Sequence, residues 1–257
     1  MSASGFEVHR LAVTDSTNDW ALGAARDGAP DRTVVVADFQ RRGRGRLDRR
    51  WEAPAGTALL CTVLLRPELD VGDRHLCAVA VGLAALEACT ASAALGVGLK
   101  WPNDLVVGDR KLGGILAETD GQEDDDGTTA VVVGLGLNVS FPGPPDANAT
   151  SLEAASGRTV TRDQLLASYL DALDARVRDL RMPHGRTSLV RAYRRSLVTL
   201  GRRVRVQLHD THVVGVADDV DDQGHLVVVT EQETRVFATG DVVHLRDLAG
   251  GAAEVRE

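Results

Sequence analysis

The sequence predicts an α+β chain with a mixed-sheet domain over residues 1–200 and a small all-β barrel over residues 201–248. Three observations predict it. Near-continuous apolar runs of strand length occur at residues 33–39, 58–65 and 130–138, which reads as buried strands. Long helical stretches lie between and after them, at about residues 74–95 and 161–180. From Arg203 the texture changes to short β-rich runs at regular intervals, separated by turns such as Asp221-Asp222-Gln223-Gly224. The last residues, 249–257, read as a frayed, disordered tail.

The elements follow in order. Residues 7–13 form an opening strand. Asp15-Ser16-Thr17-Asn18 then reads as a helix start, with Ser16 as N-cap and Asp19 at capping-box spacing. That helix ends at Gly28. The Arg/Gly segment 41–50 has neither strand nor helix character and reads as a loop. After the long Ala/Leu helix, residues 97–99 lead into Trp101-Pro102-Asn103-Asp104, where proline breaks regular structure. Strands are expected at 105–107 and 113–119, with Lys111 at the turn entering the second. The acidic segment 120–129 reads as a solvated hairpin loop. Thr161-x-x-Gln164 is a capping box opening a helix to about Leu180, and a further helix covers 188–199.

Composition excludes several function classes. At 44% hydrophobic and 26% charged residues, the chain is not disordered, collagen-like or membrane-embedded. A net charge of −8 argues against a generic nucleic-acid coat, which needs a basic surface. The most apolar stretch, 76–95, contains Glu87 and many small residues, so it reads as a buried helix rather than a span. MSASGFEVHR lacks an apolar signal core. Cys61, Cys77 and Cys89 are odd in number and have no Cys-x-x-Cys pairing. They read as buried thiols in a reducing cytoplasm, not as disulfides or a zinc site.

The densest chemical signal is Gln40-Arg41-Arg42-Gly43-Arg44-Gly45-Arg46-Leu47-Asp48-Arg49-Arg50-Trp51. Its six arginines and two glycines follow a buried strand directly. Glycines allow close backbone approach, arginines bind phosphate bidentately, and Trp51 offers a flat face to a base. It is neither a Walker A loop nor a Rossmann fingerprint; without a ligand it would be a flexible basic loop. The second signal is Lys100-Trp101-Pro102-Asn103-Asp104 with Asp109-Arg110-Lys111-Leu112-Gly113-Gly114-Ile115-Leu116. Lys100 and Lys111 are the only lysines among 29 basic residues. A chain that writes Arg nearly everywhere keeps Lys where a compact ammonium is needed. The third is Gly134-Leu135-Gly136-Leu137-Asn138, a strand ending in two glycines and an amide. The seven histidines are scattered without metal spacing, and no nucleophile–base pair speaks for hydrolysis. Asp15, Asp38, Asp104 and Asp109 lie near the motifs without forming an identifiable metal-ligand set.

The segments STN, ADFQ…GRGR…RRW, KWPND…DRKLGGIL and GLGLN, in this order and spacing, resemble those of biotin protein ligases. ATSL at residues 149–152 and the terminal β-module, which the resemblance makes SH3-like, also fit, so the likeness covers nearly the whole chain. GRGR together with KWPND…RK is far more specific than either alone. The resemblance implies a catalytic domain of the biotin/lipoate ligase type, an ATP-dependent enzyme and two steps. Biotin's carboxylate attacks the α-phosphate of ATP, giving biotinyl-5′-AMP and pyrophosphate. A lysine of a biotin carboxyl carrier protein then attacks the mixed anhydride. By the same resemblance Lys111 and Arg46 are catalytic. Ser16, Thr17, Asn18, Gln40, Gly43, Arg44, Gly45, Arg46, Lys111, Gly113 and Gly114 hold biotin. Arg46, Arg49, Trp51, Asn103, Lys111, Asn138 and, from the β-module, Arg246 hold ATP or the adenylate. Mg2+ accompanies ATP, the carrier belongs to an acyl-CoA or pyruvate carboxylase, and neither nucleic acid nor membrane is a partner.

The sequence departs from the family at Leu47-Asp48, where many members carry a basic residue and Gly; Asp48 adds negative charge to a phosphate loop. Fourteen residues before Asp15 leave no room for a helix-turn-helix, so no repressor function is expected. The alternatives are a lipoate ligase or lipoyl transferase of the same fold, which would not be expected to pair GRGR with KWPND, and a noncatalytic nucleic-acid module, disfavoured on an acidic chain. A biotin carrier is excluded because neither methionine adjoins a lysine.

Overall fold

The structure, a computed structural model, describes residues 5–119, 121, 128–144, 147–208 and 210–245. Arg246 and the tail 249–257 lie outside the described residues, as does most of the acidic segment 120–129.

Seven strands form the first sheet: β1 (Glu7–Thr14), β2 (Thr33–Gln40), β3 (Ala58–Leu65), β4 (Gly98–Lys100), β5 (Asp104–Val107), β6 (Arg110–Glu118) and β7 (Val131–Asn138). Their order is β1-β2-β3-β7-β6-β5-β4, and only β1–β2 is parallel. The centre is apolar on both faces because both are covered; every residue of β3 is buried.

One face carries the main core. Helix α2 (Leu76–Ala93) packs on α4 (Arg162–Arg181) and α5 (Pro183–Ser196), with the short α3 (Leu152–Ser156) beside it. Their Leu, Ala and Val side chains form one buried cluster with Leu59, Cys61, Val63, Val133 and Leu135 of the sheet. The apolar run of Val71–Ala93 is long enough to cross a membrane, yet 67% of its most apolar 18-residue window is buried inside the protein. The other face is only partly covered, by α1 (Thr17–Arg26), whose Ala21 and Ala25 meet Val35, Leu64, Ala130 and Val132. The uncovered remainder of that face is where the motifs gather.

Caps form as expected from the residues. The Ser16 hydroxyl accepts from the Asp19 amide at 3.5 Å, and Thr161 accepts from the Gln164 amide at 3.4 Å. Three expectations are corrected. The last helix of the domain runs Pro183–Ser196, not 188–199: proline is well placed in a first helical turn, and Leu197 leaves the helix in an extended conformation. Leu152–Ser156, unassigned from sequence, is a helix capped by Ser151. Lys111 lies inside β6, paired with Val106, rather than at a turn, since β6 starts at Arg110.

The second sheet is five-stranded and wholly antiparallel: β8 (Arg203–Gln207), β9 (His212–Val220), β10 (Leu226–Val229), β11 (Thr234–Phe237) and β12 (Asp241–His244), in the order β11-β10-β9-β8-β12. Val204, Val206, Ala217, Leu226 and Val228 face inward and join the main core cluster.

Candidate active site

The Arg/Gly segment is not a featureless loop. Gly45 N–H donates to Arg49 O at 2.7 Å, Trp51 N–H to Gly43 O at 3.0 Å, and Arg44 bridges Arg50. The segment is therefore a loop folded back on itself as a narrow ribbon, closed by one isolated backbone bridge rather than by paired strands. Gly43 is required there, because a Cβ would strike the Trp51 carbonyl. The ribbon turns at Leu47 and Asp48, both left-handed at φ 53° and 57°.

Behind the ribbon lies a cavity of about 130 Å³, and in front of it a cleft of about 720 Å³. Arg44, Gly45, Arg46 and Arg49 line both, so the ribbon is the partition.

The inner end of the small cavity is a polar network. Gln40 Oε1 accepts from the Thr17 amide at 2.7 Å and the Thr17 hydroxyl at 2.8 Å. The Thr62 hydroxyl sits 2.8 Å from Thr17 Oγ1 and 2.7 Å from Asn18 Oδ1. Asn18 Nδ2 donates to Leu116 O at 3.0 Å and to Glu118 Oε2 at 2.7 Å. Arg44 completes it, meeting both Glu118 oxygens at 2.8 Å and Asp19 at 2.6 Å. Ser16 also lines this end.

The outer end is cationic. Lys111 Nζ pairs with Asp104 at 2.7 Å and lies 5.8 Å from the Trp51 ring centroid. Arg46 donates to Asn103 Oδ1 at 3.2 Å and Gly240 O at 3.1 Å, while Arg49 pairs with Asp241. Burial pulls the Arg46 guanidinium below its usual pKa, and Asp241 and Asp104 oppose that; an arginine stays charged regardless. Trp51 lies against the floor because Gly136 has no side chain: a Cβ there would fall 2.6 Å from the ring. The Trp51 indole N–H is buried without a partner.

The structure thus brings Ser16, Thr17, Asn18, Gln40, Arg44, Gly45, Arg46, Arg49, Trp51, Asn103, Lys111 and Gly114 to one cavity. Gly43 faces the larger cleft. Gly113 and Asn138 line neither. A Cβ on Gly113 would meet Leu137 at 2.8 Å, so it serves strand packing. The Asn138 amide donates to Thr150 O at 2.9 Å, and Thr150 N–H donates to Lys111 O at 2.8 Å. Asn138 therefore braces the segment that backs Lys111. Arg246 lies outside the described residues.

Sequence reasoning missed Thr62, Glu118, Asp19 and Asp241 as members of this site. Thr62 carries the one hydroxyl in the apolar strand ALLCTVLL, a signal that was available. Asp241 had none, because its role depends on the two sheets meeting. Among the described residues no cluster of three or more His, Cys, Asp or Glu could hold a metal.

Residues 11–138 match the biotin/lipoate A/B protein ligase family, and residues 199–245 match the biotin protein ligase C-terminal domain. The chain is 38% identical to a biotin–[acetyl-CoA-carboxylase] ligase of Mycobacterium tuberculosis, over 92% of this chain and 88% of that one. It is 31% identical to the protein of that name from Paracoccus denitrificans, over 90% and 98%. The fold superposes on a biotin protein ligase from Aquifex aeolicus solved with biotin and ATP, with TM-score 0.79, 24% identity and coverage of 94% and 99%. That likeness shows the fold alone. The chain belongs to the biotin protein ligase family, within the biotin/lipoate A/B protein ligases.

Proposed function

We propose that this chain activates biotin with ATP to biotinyl-5′-AMP and transfers biotin to a lysine of a carrier protein. The observation that carries this reading is the joining of two unlike ends in one small cavity. One end is a network of uncharged donors and acceptors on Thr17, Asn18, Gln40 and Thr62, suited to a ureido head. The other gathers Arg46, Arg49 and Lys111, suited to phosphates. The relatives named biotin–[acetyl-CoA-carboxylase] ligase support the reaction, as does a Leishmania major biotin protein ligase solved with biotinyl-5-AMP, at 25% identity and TM-score 0.60.

In this reading the enzyme supplies no nucleophile, because biotin's carboxylate and the carrier lysine are the nucleophiles. Its task is to overcome repulsion between a carboxylate and a triphosphate and to stabilise charge as it develops. Lys111, a compact ammonium held by Asp104, suits the junction of the two substrates. Arg46 and Arg49 suit the phosphate oxygens, and Trp51 suits the base. Gly43, Gly45 and Gly114 allow close backbone approach. Ser16, Arg44 and Asn103 complete the walls, Gly113 and Asn138 act from behind, and Arg246 contacts ATP. A cavity of about 130 Å³ is small for a nucleotide ester. The adenylate would therefore extend into the larger cleft, which Arg46 and Arg49 also line. The carboxylates around it are all paired with cations, so Mg2+ would enter on the triphosphate rather than in a protein cage.

The same proposal covers the coarser organisation. Residues 1–200 bind biotin and ATP, 201–248 form an SH3-like barrel, and the carrier belongs to an acyl-CoA or pyruvate carboxylase. The setting is cytoplasmic, in keeping with three buried thiols whose pKa burial pushes up to about 12.

The test is incubation of the purified protein with biotin, Mg-ATP and a biotin-accepting carrier domain, read as a mass shift on the carrier lysine. Lipoate is run in parallel. Transfer of biotin alone is expected; transfer of lipoate instead would move the chain to the sister activity.

A further inference from the structure

The ribbon is tied in two directions. Inward, Arg44 is held by Glu118 and Asp19 of the catalytic sheet and α1. Outward, Arg46 donates to Gly240 O at 3.1 Å, and Arg49 pairs with the Asp241 carboxylate. Gly240 and Asp241 lie where the chain enters β12, so these ties reach the other sheet. The turn of the ribbon carries the reverse tendency, since Leu47 and Asp48 sit in left-handed conformations that L-residues avoid. Within the turn Arg49 N–H donates to Arg46 O at 3.2 Å, and Gly45 N–H to Arg49 O at 2.7 Å; the outward ties add to these against the strain at Leu47 and Asp48.

We propose that Asp241 is a positioning residue that keeps the ribbon shut over the adenylate from the C-terminal sheet, through Arg49 and alongside the Gly240 carbonyl on Arg46. This rests on the biotin-ligase reading. The Arg49–Asp241 pair is half exposed, with side chains 64% and 29% accessible. Such pairs contribute little to global stability. An opening equilibrium is balanced finely enough that a small contribution changes it severalfold, so the effect belongs to retention of the intermediate rather than to folding.

The experiment uses the full chain and its Asp241→Asn and Asp241→Glu variants. The first readout needs no ligand: limited digestion with trypsin, which cuts at the ribbon arginines when the ribbon opens. Asp241→Asn is expected to speed ribbon cleavage about fivefold and Asp241→Glu to restore much of the protection. Arg49→Ala removes one cleavage site, yet should open the ribbon at the remaining arginines equally, and the double variant should open it no further. The second readout is escape of biotinyl-AMP into solution without carrier, expected to rise about fivefold in Asp241→Asn. Pyrophosphate release in a single turnover is followed separately. Unchanged cleavage and unchanged escape in Asp241→Asn would overturn the proposal. Faster pyrophosphate release with unchanged escape would also overturn it, making Asp241 a competitor of phosphate for Arg49. Absence of pyrophosphate release from the unaltered protein would sink the biotin-ligase reading itself, and the trypsin result would then still decide the tie.

Discussion

Lys111 and His244 show how little of a residue's role lies in its type alone. Lys111 is one of two lysines, and that scarcity was readable; its partner Asp104 and its place above Gly114 were not. Because the ammonium is a point charge between Asp104 and the Trp51 ring, Lys111→Arg should keep the charge and still lose adenylation. The planar fork would turn to Asp104 and leave the junction. We expect a loss on the order of a hundredfold in single-turnover pyrophosphate release, comparable to removing one transition-state donor. A near-normal rate would refute the assigned role. His244 lies in β12, where burial and then the nearby Lys100 and Arg202 push its pKa down to about 4, against the pull of Asp109. The folded protein therefore keeps this imidazole neutral down to about pH 4, while the unfolded chain charges it near 6.5. Across that window the unfolded state binds more protons, so the His244 contribution is full above about pH 6.5 and is lost as pH falls toward 4. His244→Gln should flatten the acid limb of a Tm-against-pH curve; an equally steep limb in the variant would show that other groups cause it.

At the scale of elements, legibility followed local signal. The buried strands, the capped helices and the regular β-runs after Arg203 announce themselves by periodicity, caps and turns, and the structure holds them close to their expected limits. The ribbon did not, because Arg and Gly have no strand tendency. It exists through backbone hydrogen bonds across the segment at Gly43, Gly45 and Trp51 and through partners far off in sequence. Its turn makes a specific prediction. Two consecutive left-handed residues favour Asn-Gly, and this chain has Leu47-Asp48. The double variant Leu47→Asn/Asp48→Gly should relieve about 1 kcal/mol in the shut ribbon. That corresponds to roughly fivefold slower escape of biotinyl-AMP. Asp48→Asn separates the charge from the backbone: if it alone reproduces the slower escape, the lost carboxylate and not the turn geometry is the cause.

The two sheets share one main core, with a smaller cluster under α1, although the sequence reads as two textures meeting near residue 200. The join is made by Trp101, 3% exposed, which reaches from the KWPND motif into the second sheet. Its amide donates to Thr199 Oγ1 at 3.0 Å and its indole N–H to Gly224 O at 3.2 Å. Beside it Val198 N–H donates to Leu99 O at 2.8 Å, and Tyr193 O–H to Pro102 O at 3.3 Å. The residues that read as a substrate motif are therefore also the hinge of the architecture. Since both sheets contribute to one buried cluster, the protein should melt in a single calorimetric transition. Trp101→Ala should cost about 3–5 kcal/mol, the range for deleting a buried Trp. It should also split or broaden the melt, because the second sheet loses its anchor while keeping its own apolar interior. Two separate transitions in the unaltered protein would mean that the shared core does not couple the sheets. In that event the Gly240–Asp241 turn could not hold the ribbon from across the join, because a sheet that opens independently carries its ties away with it.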